Sequence, residues 1–171
     1  MKQDQDVVLM LSIKRFYGQP DNIRPVVAII RKTSDVSLRL IDWFITSYAK
    51  RHNAISVRGD AQYNIYNSYR SALRSFSKQR FDPFRRHQRI KFVYGEGGDE
   101  AIETTIAQLN FFKWAIETGV LDYIRAHRSQ IEQAMAGSGA TKHVPAERDE
   151  PAAGGDQQQV HQRCRTTLSF D

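Results

Sequence analysis

The chain has 171 residues, 40% of them apolar and 11% aromatic, enough for one packed domain of ordinary size with residues to spare. No apolar run approaches the eighteen or more residues that a membrane-spanning helix needs, and the single cysteine, Cys164, excludes both an intramolecular disulfide and a cysteine-based zinc site. The formal net charge of +6 points away from an acidic or neutral surface and toward anionic partners.

The N-terminus, "MKQDQDVVLMLSIKRFY", is a poor secretory signal. Asp4 and Asp6 stand where a basic segment belongs, and Ser12 and Lys14 interrupt the apolar run. An intracellular, reducing setting is expected. The β-branched content of 7–17, closed by Gly18 and Pro20, predicts a strand, and "VVAII" (26–30) a second one, joined as a hairpin. Residues 35–51 read as a helix from the spacing of Leu40, Trp43, Phe44 and Tyr48, and "AISVR" as a short strand. Residues 63–79 form the clearest amphipathic helix. Ile65, Tyr69, Ala72, Leu73 and Phe76 make one stripe, and Arg70, Arg74 and Lys78 a ridge almost opposite. Pro83 should end it.

"RIKFVY" (89–94) alternates as a strand does. "GEGGDE" follows as a loop, and Asp99, Glu100 and Glu103 are placed to open a helix over 100–118, with Leu109, Phe111 and Trp114 making it central. Gly119 turns the chain into a further helix over 120–136. From Gly137 onward Gly, Ala, Pro and Gln replace periodicity, so 137–171 reads as a disordered tail behind a single domain, 1–136. The expected fold is α+β: a small antiparallel or mixed sheet (7–17, 26–30, 89–94) covered by three to four helices.

The chemistry-bearing motifs are few. "YGEGGDEAIE" has the strand–glycine–helix layout of a phosphate cradle but neither established spacing, and its carboxylates would repel a phosphate. His52, His87, His127, His143 and His161 show no metal-ligand spacing, and no serine sits in a nucleophile elbow. Neither catalytic residue nor metal nor cofactor is expected. The helix–Gly–helix at 100–136 reads as a core hairpin, with a DNA-reading helix-turn-helix through Arg125, His127 and Arg128 as the alternative.

The remaining signal is charge. Residues 67–91 hold Arg70, Arg74, Lys78, Arg80, Arg85, Arg86, Arg89 and Lys91 against Asp82 alone, while the rest of 1–136 sums to zero. Charge focused in one segment, with arginine forks that match phosphate geometry, suits a polyanion better than diffuse charge does. Phe81 and Phe84, flanking the Asp-Pro turn, read as core anchors. The expected function is non-enzymatic nucleic-acid binding through these eight side chains, DNA ahead of RNA. The alternative is a structural or assembly role in which the basic face meets an acidic protein. No membrane partner is expected.

The phrases "LRLIDWFITSYAKRHN", "YNSYRSALRSFSKQRFDPFRR" and "IETTIAQLNFFKWAIETGVLDYI" together resemble a small conserved, uncharacterised protein family of the nucleocytoplasmic large DNA viruses, over about residues 7–125. The resemblance carries no catalytic residue. It implies a protein of an infected cell or a virion, and with that a part in viral transcription, replication or genome packaging.

Residues 137–171 lack the apolar periodicity that could offset the entropy of ordering them. Truncation after Gly137 is therefore expected to leave the melting temperature nearly unchanged by circular dichroism; a loss of many degrees would show that the tail supports the body.

Overall fold

In a computed structural model, residues 2–95 and 97–140 are described. Helices α1 (Lys2–Tyr17), α2 (Pro20–Ile30) and α3 (Leu38–Trp43) come first. A π-helical segment, Phe44–Tyr48, joins α3 to α4 (Ala49–His52). Strands β1 (Ile55–Arg58) and β2 (Ala61–Asn64) precede α5 (Ile65–Arg80). Strands β3 (Ile90–Tyr94) and β4 (Glu100–Thr104) precede α6 (Ile106–Glu117), α7 (Val120–Ala126) and α8 (Arg128–Ala140). The architecture is α+β, with two separate antiparallel hairpins, β1–β2 and β3–β4, set among helices.

The two strands expected at 7–17 and 26–30 are helices. Val7 and Val8, the residues that suggested a strand, face solvent, as does Leu11. The buried side chains are Leu9, Ile13 and Tyr17, four residues apart, with Met10 and Phe16 partly covered beside them. That spacing is a helical stripe, and it outranks local β-propensity because burial decides. In α2, Pro20 occupies the first turn, where its missing N–H costs nothing. Pro25 lies inside the helix, which buries Ile23, Val26, Val27 and Ile29. The predicted sheet therefore keeps residues 90–94 alone, and β1, read from "AISVR", pairs with an unexpected β2.

The second correction is at 100–104. Of the acids read as a helix start, Glu100 and Glu103 belong to β4, whose Ile102 and Thr104 turn inward while Glu103 faces out, and Asp99 lies in the loop before it. The helix begins at Thr105, whose Oγ1 accepts from the Gln108 amide (3.1 Å). Thr-x-x-Gln before an apolar run is a helix-start signature, and it was present in the sequence. The glycine loop thus closes a hairpin and does not lead into a helix. The 120–136 helix is two helices that part at His127. Residues 137–140, read as tail, continue α8; the remainder, 141–171, lies outside the described residues.

Helix α6 is the centre. Leu109, Phe111, Phe112, Trp114 and Ala115 are all buried, and α1, α2, α5 and α7 pack on it. Tyr17 Oη donates to the Leu109 carbonyl (2.6 Å), and Trp114 Nε1 to Ser68 Oγ on α5 (3.0 Å). The core reaches the basic turn through Phe81, which is fully buried with its ring 5.4–6.1 Å from those of Tyr69, Phe76, Phe111 and Trp114. Phe84, expected as a second anchor, is 43% exposed. Phe81→Ala should cost about 3–5 kcal/mol in urea unfolding, and Phe84→Ala under about 0.5 kcal/mol. Equal losses would contradict this packing.

Candidate nucleic-acid interface

Helix α5 starts at Asn64, whose side chain accepts from the Asn67 amide (3.0 Å), and lays Tyr69, Ala72, Leu73 and Phe76 against the core. Arg70 and Arg74, four residues apart, are exposed on the other side. The ridge does not run on unbroken to Lys78. Ser77 adopts φ 61°, ψ 165°, a conformation outside the helix that side-chain-bearing residues rarely take. The break redirects the last helical residues so that Phe81 enters the core.

The turn that follows is held from α6. Asn110 Nδ2 donates to the Arg80 carbonyl (2.8 Å), Gln108 Nε2 to the Pro83 carbonyl (2.7 Å), and the Asp82 amide to the Ala107 carbonyl (3.3 Å). Asp82 Oδ1 accepts from the Phe84 amide (2.9 Å), which closes the Asp-Pro turn from within. The basic segment is thus a fixed platform.

Its eight cations differ in what they meet. Arg80 is committed to the body: its guanidinium pairs with Asp6 and donates to Gln5 Oε1 (3.1 Å), tying α5 to α1. Arg89 pairs with Glu103 across the β3–β4 hairpin (2.9 Å). Lys91 lies opposite Glu103 in the strand register and lines a separate cleft beside α1 and α2. The other five, Arg70, Arg74, Lys78, Arg85 and Arg86, have no ion-pair partner among the described residues. A small cavity of about 50 Å³ is lined by Arg80, Arg85, His87 and the first turn of α6, with Asp6 at its wall. Arg85 Nε is out of solvent with no hydrogen-bond partner among the described residues.

The helix-turn-helix alternative finds its basic residues occupied. Arg128 pairs with Glu132 (2.8 Å) and Asp35 (3.1 Å), Arg125 lies 3.8 Å from Asp122, and the His127 ring stacks on Tyr123. Helices α6 and α7 form a buried hairpin, where Gly119, at φ 72°, passes so close to Val57 that a Cβ would meet its carbonyl at 3.1 Å.

One carboxylate pair was not flagged by sequence. Asp42, partly buried beside the π-helical segment, is raised from its ordinary value by burial first and then by the charge of Asp82, while Lys78 pulls it back. Forty residues separate these two acids, so no local pattern could have joined them.

The sequence profile of a family of unknown function (DUF7197) matches residues 1–161. An uncharacterised protein of Acanthamoeba polyphaga mimivirus, L507, is 31% identical over 139 residues, covering 77% of this chain and 54% of its own length. The chain thus spans about half the length of that relative. The resemblance to an uncharacterised family of large DNA viruses is borne out. No solved structure matches. No helix among the described residues is long and apolar enough to cross a membrane.

Asp42 gives a prediction whose sign is fixed. A carboxyl whose folded pKa lies above its unfolded value binds its proton more tightly in the native state. It costs stability once pH rises past the unfolded value of about 3.9. Asp42→Asn should therefore raise the melting temperature at pH 7 and leave it nearly unchanged at pH 3; a lower melting temperature at pH 7 would mean that the charge is stabilising.

Proposed function

The chain belongs to the DUF7197 family of unknown function, and we propose that it binds nucleic acid, without catalysis, through the platform formed by the outer face of α5 and the turn after it. The carrying observation is that Arg70, Arg74, Lys78, Arg85 and Arg86 have no ion-pair partner among the described residues, although acids elsewhere in the body are engaged with arginines. An arginine held in place without a carboxylate presents a planar fork suited to a phosphate. The orphaned Nε of Arg85 supports the same reading, because a buried donor without a partner is costly and an anion in the adjacent cavity would satisfy it.

Phe84 adds a second chemistry. It stands exposed in sequence beside Arg85 and Arg86, fixed by the Asp82 turn. An exposed aromatic next to arginines is a stacking platform for an unpaired base. The platform therefore accepts duplex DNA through phosphates alone and a single strand through phosphates and stacking. In an infected cell or a virion, such binding would serve transcription, replication or packaging of the genome.

Fluorescence anisotropy at several salt concentrations, with a labelled duplex and the matching single strand, tests the proposal. If all five cations meet phosphates, log affinity should fall against log salt with a slope of about −4.5 on duplex and about −3.5 on single strand. Arg85→Ala with Arg86→Ala should weaken binding to unrelated sequences about equally and flatten the duplex slope by about 1.8, because phosphate contacts carry no base information. Phe84→Ala should weaken the single strand more than the duplex. Absence of salt-sensitive binding to either form would refute nucleic-acid binding.

A further inference from the structure

A second concavity lies away from that platform. It is a cleft of about 1020 Å³ between β3 on one side and α1 and α2 on the other. Every residue of β3 lines it, as does Gly95, whereas β4 contributes Glu100 alone. A cleft over the face of the hairpin would be lined by alternate residues of both strands, since side chains alternate across a sheet. Lining by every residue of one strand places the cleft along that strand's edge.

That edge is open. Strand β3 is bonded to β4 on one side, and no described residue makes a backbone hydrogen bond to the other. An unpaired row of N–H and C=O groups is a template for one more strand. The cleft also has two chemistries. Met10 and Ile23 give it an apolar wall, continuous with the buried Phe92. Among the described residues that line it, Lys14, Arg24 and Lys91 bring three cations against the carboxylate of Glu100. Arg24 touches Asp21 at 3.4 Å with both side chains largely exposed; Lys14 and Lys91 have no ion-pair partner among the described residues.

We propose that this cleft is a peptide-docking site, where an extended acidic segment of a partner protein adds a strand to the outer edge of β3. Paired there, the segment's alternate side chains would fall on the same two faces as those of β3. One set would meet the side of Phe92 and Tyr94, the other the side of Lys91 and Val93, of which Val93 is 51% exposed. An alternating apolar and acidic peptide is the match. A strand supplies the affinity through main-chain bonds and the selectivity through alternate side chains.

The test uses the full chain and a fluorescein-labelled eight-residue peptide of alternating valine and glutamate. A lysine counterpart and a glutamate version methylated on every backbone nitrogen are the controls. The glutamate peptide should bind saturably, the lysine peptide at least about tenfold more weakly, and the methylated peptide not detectably, since it keeps charge and side chains but cannot complete the ladder. Amide exchange at alternate residues of 90–94 should slow in its presence. Lys14→Glu with Lys91→Glu should weaken binding about tenfold or more, whereas Arg85→Ala with Arg86→Ala should leave it unchanged, which separates this site from the nucleic-acid platform. Several results would overturn the proposal. Equal binding of the methylated peptide would exclude strand addition. No saturation by about 1 mM would show that Lys91 merely guards the edge. Displacement of the peptide by oligothymidylate, with loss of oligothymidylate binding in the lysine variant, would assign the cleft to a nucleic acid.

Discussion

The fit of Phe81 into the surface of α6 is the constraint from which the rest of the fold's useful geometry follows. A ring fully out of water, among four other aromatic rings, fixes where α5 must end. The unusual backbone at Ser77 is the local cost of that fit. Once Phe81 is seated, the Arg80 and Pro83 carbonyls come within reach of Asn110 and Gln108, and the Asp82 amide within reach of Ala107. A segment carrying five cations with no ion-pair partner among the described residues is thereby held by the central helix. A flexible basic loop would lose conformational entropy on meeting a polyanion; a tethered one has already lost it on folding.

The same helix organises the opposite side. Tyr17, at the C-terminal end of α1, donates to the Leu109 carbonyl and meets Phe92 edge-on, with ring centres 5.9 Å apart. This sets α1 and β3 at a distance that leaves the cleft between them. Strand β3 is fixed on its other side by the β4 ladder and by the Arg89–Glu103 pair. The basic segment of the sequence thus divides in space. Lys91 parts from the helix and turn and joins Lys14 and Arg24 at the cleft. The two proposed binding events, of a nucleic acid and of an acidic protein segment, would use these cations separately.

Much of this was legible from residue spacing where the period was long and clean. The 63–79 stripe, the 89–94 alternation and the centrality of 106–117 are strong because several buried side chains repeat the same offset. Residues 7–17 misled because Val7 and Val8 carry β-propensity yet face water, while the decisive offsets 9, 13 and 17 lie among them. At 100–104, acids that suit a helix start concealed a strand, though the capping pair Thr105 and Gln108 marked the true start. The candidate site was legible as a charge total, but its partition was not. Which cations are spent on Asp6 and Glu103 depends on contacts 74 and 14 residues apart along the chain. The exposure of Phe84 against the burial of Phe81, three residues away, likewise depends on which one α6 accommodates.

Native-state hydrogen exchange at the Asp82 amide tests most directly whether the basic turn is a fixed platform. This amide donates to Ala107 at the start of α6, so it opens only when the turn leaves the helix. The account predicts protection approaching that of the α6 core amides, lost in concert with them as denaturant is added. Exchange at the rate of an unstructured loop, with α6 still protected, would contradict it, and the arginines of the turn would then be a mobile basic loop without a preset geometry.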